Sequence, residues 1–297
     1  MGPSIKGLHY LSVSLGWALV AASAPQAIAQ TVVPTPSPIE ILTPTTDRYM
    51  STVTIVSPKE GETMTSGKIP LKITTQRFPV GKDPKTGLGL HLKILVDNEP
   101  PVSYYDLNDP VNLNLAPGTH TVRVIAVRPW DRAYRNLTAL AHVTFNVQKS
   151  DKRNAPKFKT AEPLLTVVSP SGTYGATPIL LDYIVDGVNL GKDNYKVRYT
   201  LNGQTTTTID RKELYLDGWK IGQNKLVVEL INASGQVGDN AGYNRVERTI
   251  DYQPNGTDGL SKLIRGEFTP EQMFGALGPE PFIYDNAGNP KLLKPAK

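Results

Sequence analysis

Nine consecutive residues carry the densest recognition chemistry in this chain: Arg128-Pro129-Trp130-Asp131-Arg132-Ala133-Tyr134-Arg135-Asn136. A Trp and a Tyr interleaved with arginines set flat apolar faces beside donors held in a fixed fork. Such a surface suits a stacked sugar ring, a carboxylate or a peptide anchor. On this reading Arg128, Trp130, Arg132, Tyr134 and Arg135 are the candidate ligand-binding residues. The competing reading folds Trp130 back over a sheet end with an arginine stacked on it.

Other polar groups have bland readings. If Leu90, Leu92 and Ile94 face a core, His91 points outward, and the parity of Ala141, Val143 and Phe145 sends His142 outward too. One intervening strand would hold these histidines about 9–10 Å apart, too far for two bonds of about 2.1 Å to one ion. His120 shares parity with Val122 and Val124 and points inward. Asp106-Leu107-Asn108-Asp109-Pro110 has calcium-loop residue types, but calcium needs oxygens from several segments, so an Asx turn is expected. With 0 Cys there is no disulfide, thiol nucleophile or thiolate metal site. The chain contains no nucleophile elbow, zinc motif or phosphate loop. The expectation is a non-enzyme with no catalytic residue, no metal and no cofactor.

The elements that must position the Arg/aromatic stretch are short strands. Thr54-Ile55-Val56-Ser57-Pro58, with Gly61 behind, returns as Thr166-Val167-Val168-Ser169-Pro170, with Gly172 behind. Each copy fills about a hundred residues, a common size for a β-sandwich. In the first copy strands read at 52–56, 69–75, 90–97, around Tyr104, 111–115, 121–127 and 141–147. In the second they read at 164–168, 179–185, 196–201, 205–209, 213–216, 225–231 and 245–252. Asn202-Gly203 between two alternating runs signals a type I′ hairpin. Pro117-Gly118 and Gly222-Gln223 mark matching turns before the penultimate strand of each copy. The candidate loop therefore joins the last two strands of the first copy, and its counterpart, 234–240, is small and polar.

Outside the copies, residues 1–29 read as a signal peptide, with a weakly positive start, an apolar stretch at 11–22 and Ala27-Ile28-Ala29 before cleavage. Residues 30–50 read as a Pro/Thr-rich extended linker. The domain plan is then 51–148, a basic linker at 149–163, 164–253, and a tail at 254–297. In the tail Thr269, Pro270, Met273, Phe274, Leu277 and Gly278 outline one short helix near 270–277; the remainder reads as mobile. Trp219 reads as a core residue.

The Val-Ser-Pro-x-x-Gly opening, its compact repeat and the Pro-Gly-Thr-His-Thr-Val turn resemble exported bacterial Ig-like domains of the fibronectin-III/Big type. The resemblance covers residues 51–253 and implies an all-β fold of two tandem Ig-like antiparallel sandwiches, with no catalytic residues to carry across. A formal charge of +5 permits attraction to acidic surfaces, and export makes nucleic acid an improbable partner. After leader removal no segment is apolar enough to span a bilayer as a helix. The expected function is a non-catalytic bacterial envelope protein, periplasmic or at the cell surface. It would bind a polysaccharide or a protein through the first-domain loop, or serve as a spacer or assembly subunit contacting partners through the tail. The remaining alternative is a carbohydrate-active enzyme working through a carboxylate pair, which spacing in the sequence does not reveal, and the sequence leaves oligomeric state open.

Overall fold

The structure, a computed structural model, describes residues 30–108, 111–148 and 162–278, together with the short ladder 283–284/290–291. The leader at 1–29 and most of the basic linker lie outside the described residues. In chain order the elements are β1 (Thr31–Val33), α1 (Ser37–Thr46), β2 (Thr52–Ser57), β3 (Thr63–Met64), β4 (Lys68–Gln76), β5 (His91–Val96), β6 (Val102–Tyr104), β7 (Val111–Asn114), β8 (Gly118–Val127) and β9 (Leu140–Val147). The second half continues with β10 (Leu164–Ser169), β11 (Gly172–Tyr174), β12 (Ile179–Asp186), β13 (Lys196–Leu201), β14 (Gln204–Thr208), β15 (Leu214–Asp217), β16 (Gly222–Ile231), β17 (Arg245–Tyr252) and α2 (Gly259–Ile264). A 3₁₀ helix, Glu271–Leu277, follows.

The first sandwich packs the sheet β2-β4-β7 on the sheet β3-β9-β8-β5-β6. The second packs β1-β15-β12-β10 on β11-β17-β16-β13-β14. This is one Ig-like strand order used twice. Its cores are the inward-facing sets, including Leu71, Leu92, Val124 and Phe145 in the first and Leu181, Tyr199, Val228 and Trp219 in the second. Burying these faces is the main drive to fold.

The repeated Ser-Pro phrase acts as a sheet switch. In both copies the first strand carries a register shift at the same place, between Ile55 and Ser57 and between Val167 and Ser169. The chain then crosses at Gly61 (φ 73°) or Gly172 (φ 79°) and pairs parallel with the last strand of the other sheet. Positive φ is why a glycine follows the phrase each time. The two crossover strands, β3 and β11, are too short to register as alternation in the sequence. The Asn202-Gly203 hairpin is present, with φ of 50° and 89°, closing the register Leu201↔Gln204.

The segment expected as an extended linker at 30–50 is instead a docked strand and a helix. Thr31–Val33 pairs antiparallel with β15, so residues from the chain's beginning form the edge of the second sandwich's sheet. Helix α1 follows, with proline in its first turn where the missing N–H costs nothing. Ile39 and Leu42, three apart, bury one helical face despite Pro44 inside the helix. In the tail the short helix expected near 270–277 is present, as the 3₁₀ helix Glu271–Leu277. Helix α2, which the sequence reading lacked, precedes it, with Asp258 capping it by accepting the Ser261 N–H at 2.9 Å. Both pack with α1, Trp130, Leu88, Leu180 and Tyr215 into a third apolar cluster. Gly259 permits this close docking, because a Cβ there would lie 2.0 Å from the Thr86 carbonyl oxygen.

Candidate functional site

The Arg/aromatic stretch leaves β8 and folds back along it. Tyr134 N donates to Ala126 O at 3.0 Å and Arg128 N to Arg132 O at 2.8 Å, while Ala133 bridges to Val127. Asp131 takes φ 67° at the tip, a conformation that Asp tolerates better than most residues. This fold-back aims the loop across the outer face of the first sandwich, toward the second.

Exposure at the loop is where the structure departs from the binding expectation. Trp130 is 1% exposed and sits inside the third apolar cluster. Tyr134 is 3% exposed; its hydroxyl donates to Thr46 O at 2.9 Å, and its ring meets Phe78 edge-on at 5.3 Å. Arg128 lies 4.1 Å over the Tyr134 ring, donates to Ala133 O at 2.8 Å and pairs with Asp47 just beyond α1. Neither aromatic ring of this loop keeps an open face for a sugar to stack on. The stacked-arginine arrangement is the one adopted, on Tyr134 rather than Trp130.

The other two arginines cross to the second sandwich. Arg132 Nε stands 2.7 Å from Glu213 Oε1 as an ion pair, without hydrogen-bond alignment. Arg135 donates to Tyr183 O at 2.7 Å and pairs with the Asp182 carboxylate. Asp182 is fully buried and also accepts the Ala133 N–H at 2.6 Å. Burial raises the Asp182 pKa, and Arg135 opposes the shift. The five candidate residues are thus brought together, but in packing: Trp130, Arg132 and Arg135 clamp the first sandwich to the second, while Arg128 and Tyr134 tie the loop to the segment just after α1.

A second arm of the clamp was not foreseen. Arg123 on β8 is buried and donates to Thr166 Oγ1 at 2.9 Å and Leu165 O at 3.2 Å. Burial lowers its pKa to about 10, opposed by Tyr243 and Asp97. Leu95, Ile125, Val127 and Ala133 of the first sandwich pack on Val168 of the second. The sequence signal is apolar Leu95, Ile125 and Val127 on a strand face that otherwise reads as outward.

The outward-facing histidine reading is right in parity and incomplete in environment. His91 is buried under Tyr105, stacked at 4.4 Å, with its ring nitrogens 2.9 Å from Gly89 O and 2.9 Å from Asp131 Oδ1. Lys93 lies 3.1 Å from the same carboxylate. Burial works against ionising Asp131, but Lys93 and His91 outweigh it and hold the carboxyl below its ordinary range. Both His91 nitrogens are occupied, so this histidine–carboxylate pair has no nucleophile to activate. Strand β8 separates His91 from His142, as expected. Asn108 N donates to Asp106 Oδ1 at 2.8 Å, an Asx turn.

Beside the clamp lies an open cleft of about 450 Å³ with walls from both sandwiches. Leu137, Leu140 and His142 line one side, and Ile184, Asp186 and Arg211 the other. Leu137 is 94% exposed. Burial raises the Asp186 pKa against the opposing charges of Arg211 and His142. Arg211 is anchored on backbone, donating to Val188 O at 2.9 Å. The cleft pairs aliphatic surface with a polar rim.

Fold and site together define a tandem Ig-like β-sandwich protein. No family model and no curated protein matches the chain. Solved structures similar to it include the fibronectin(III)-like modules of Clostridium thermocellum CbhA, at 14% identity over 68% of this chain and 94% of that one, TM-score 0.25. SGBP-B of the Bacteroides ovatus mixed-linkage glucan utilization locus, in complex with a mixed-linkage heptasaccharide, aligns at 13% identity over 68% and 70%, TM-score 0.20. Three N-terminal domains of the bacteriophage RB49 Highly Immunogenic Outer Capsid protein align at 16% over 69% and 70%, TM-score 0.21. The sandwich assignment rests on the strand order above.

Proposed function

We propose that this chain is a non-catalytic, exported envelope protein that binds a protein partner at the cleft between its two sandwiches. One observation carries the reading: Leu137 stands 94% exposed at the lip of a cleft walled by both sandwiches. A concave apolar surface with a polar rim suits a partner side chain. The aromatic rings that would favour a polysaccharide, Trp130 and Tyr134, are buried. Clamping of the two sandwiches supports the reading further, because a preformed cleft does not have to be ordered on binding.

A photoreactive residue at position 137, compared with one at the exposed Ile221 of the second sandwich, tests this in the native envelope. A defined cross-linked protein from 137 and not from 221 is the expected result. Equal yields from both positions, or none, would favour a passive rigid spacer. Retention on envelope polysaccharide that Leu137→Asp abolishes would turn the assignment to a glycan.

A further inference from the structure

We infer that Gln30 is a modification site: after leader removal it cyclises to pyroglutamate, so the mature chain begins with a blocked residue. The inference rests on the export reading, which places cleavage after Ala29. Its local basis is Gln30 itself. The Gln30 side-chain Oε1 and Nε2 are both buried, and neither has a partner among the described residues. A buried primary amide with nothing to bond is costly, and one with no structural task needs an explanation.

The backbone nitrogen of Gln30 has a different environment. It donates to Gln204 Oε1 at 2.6 Å, and the next three residues form β1 against β15. A free terminal ammonium would bring three N–H donors and a charge to this one acceptor. A lactam brings a single N–H and no charge, which matches what Gln204 offers. Cyclisation also removes the orphaned Nε2 outright.

The chemistry needs no oxidant and no co-reactant. The neutral α-amino nitrogen attacks Cδ of its own side chain, forming the N–Cδ bond. The Cδ–Nε2 bond breaks, Nε2 takes up the proton lost by the amine, and ammonia leaves. The lactam keeps one N–H and one carbonyl oxygen. The product seals the start of β1 with an uncharged cap, so an aminopeptidase finds no free amine at the strand that completes the second sandwich.

The test uses freshly exported full-length protein, analysed by intact mass, by an amine-reactive label read at the N-terminus, and by pyroglutamyl peptidase treatment. The expected result is a chain starting at residue 30, lighter by one ammonia, unlabelled, and opened to labelling by the peptidase. Gln30→Ala should be labelled without treatment, which locates the block at this residue. A chain starting at residue 30 with uncyclised mass, or one cyclised only after storage, overturns the inference while leaving export standing. A chain starting elsewhere overturns the cleavage after Ala29 and the inference with it, and a chain that keeps its leader overturns the export reading as well.

Discussion

Asp182 receives the Ala133 N–H and the Arg135 guanidinium at one buried point, so its removal leaves two donors unpaired at once. Asp182→Ala should destabilise the protein by about 3 kcal/mol, read as a lowered denaturation midpoint. Asp182→Asn, which keeps an acceptor, should cost less; equal losses would show that charge alone holds the contact. A second residue-scale effect belongs to His120, whose ring nitrogens lie 2.8 Å from Asp97 Oδ2 and 2.9 Å from Ala116 O. The Asp97 hydrogen bond raises the His120 pKa. A raised folded-state pKa contributes stability fully present below about pH 6.5 and lost as pH rises through the folded value. Stability of the parent should therefore fall across that window relative to His120→Gln, in denaturant titrations at matched ionic strength. Asp131 has the opposite sign: its lowered pKa contributes stability above the ordinary carboxylate value, lost only as pH falls through the lower folded one.

Helix α1 and strand β1 show what an element gains from distant chain. A helix of 10 residues is marginal alone; here Ile39 and Leu42 are buried with Trp130, Leu263, Met273 and Leu277. Leu42→Ala should cost about 2–5 kcal/mol and expose the segment around residue 47 to proteolysis before either sandwich opens. Digestion fragments from early time points would check the order. Cleavage inside a sandwich first would show that α1 does not guard the junction. No side chain caps the 3₁₀ helix at its Pro270 N-cap, and Thr269 Oγ1 accepts the Gln272 N–H at only 3.4 Å, while Tyr49 donates to Leu277 O at 3.1 Å. Packing rather than propensity keeps this last turn in place.

At the scale of the molecule, the clamp couples two domains that tandem arrangements often leave independent. Apolar contacts from Leu95 to Val168, buried Arg123 and the Arg132 and Arg135 ion pairs all cross the junction. Calorimetry on residues 30–297 should give a single unfolding transition, and Trp130→Ala should split it in two, costing about 3–5 kcal/mol in the first phase. Two transitions in the parent would show that the junction is not cooperative.

Much of this architecture was legible in the residues alone. Alternation at 90–97, the Asn202-Gly203 hairpin and the doubled Ser-Pro phrase determined two Ig-like sandwiches, because strand parity and positive-φ turns are local demands that a few neighbouring side chains meet. The same local reading placed Arg128, Trp130, Arg132, Tyr134 and Arg135 together on one loop. Only the tertiary structure decided that this loop is a clamp, that residues 31–33 complete the second sandwich, and that the outer face bearing His91 and Leu95 is an interface. Period and propensity show which side of a strand is apolar or polar, but not what distant segment covers it. That depends on where two rigid bodies meet, and the energies deciding it come from residues far apart in the chain.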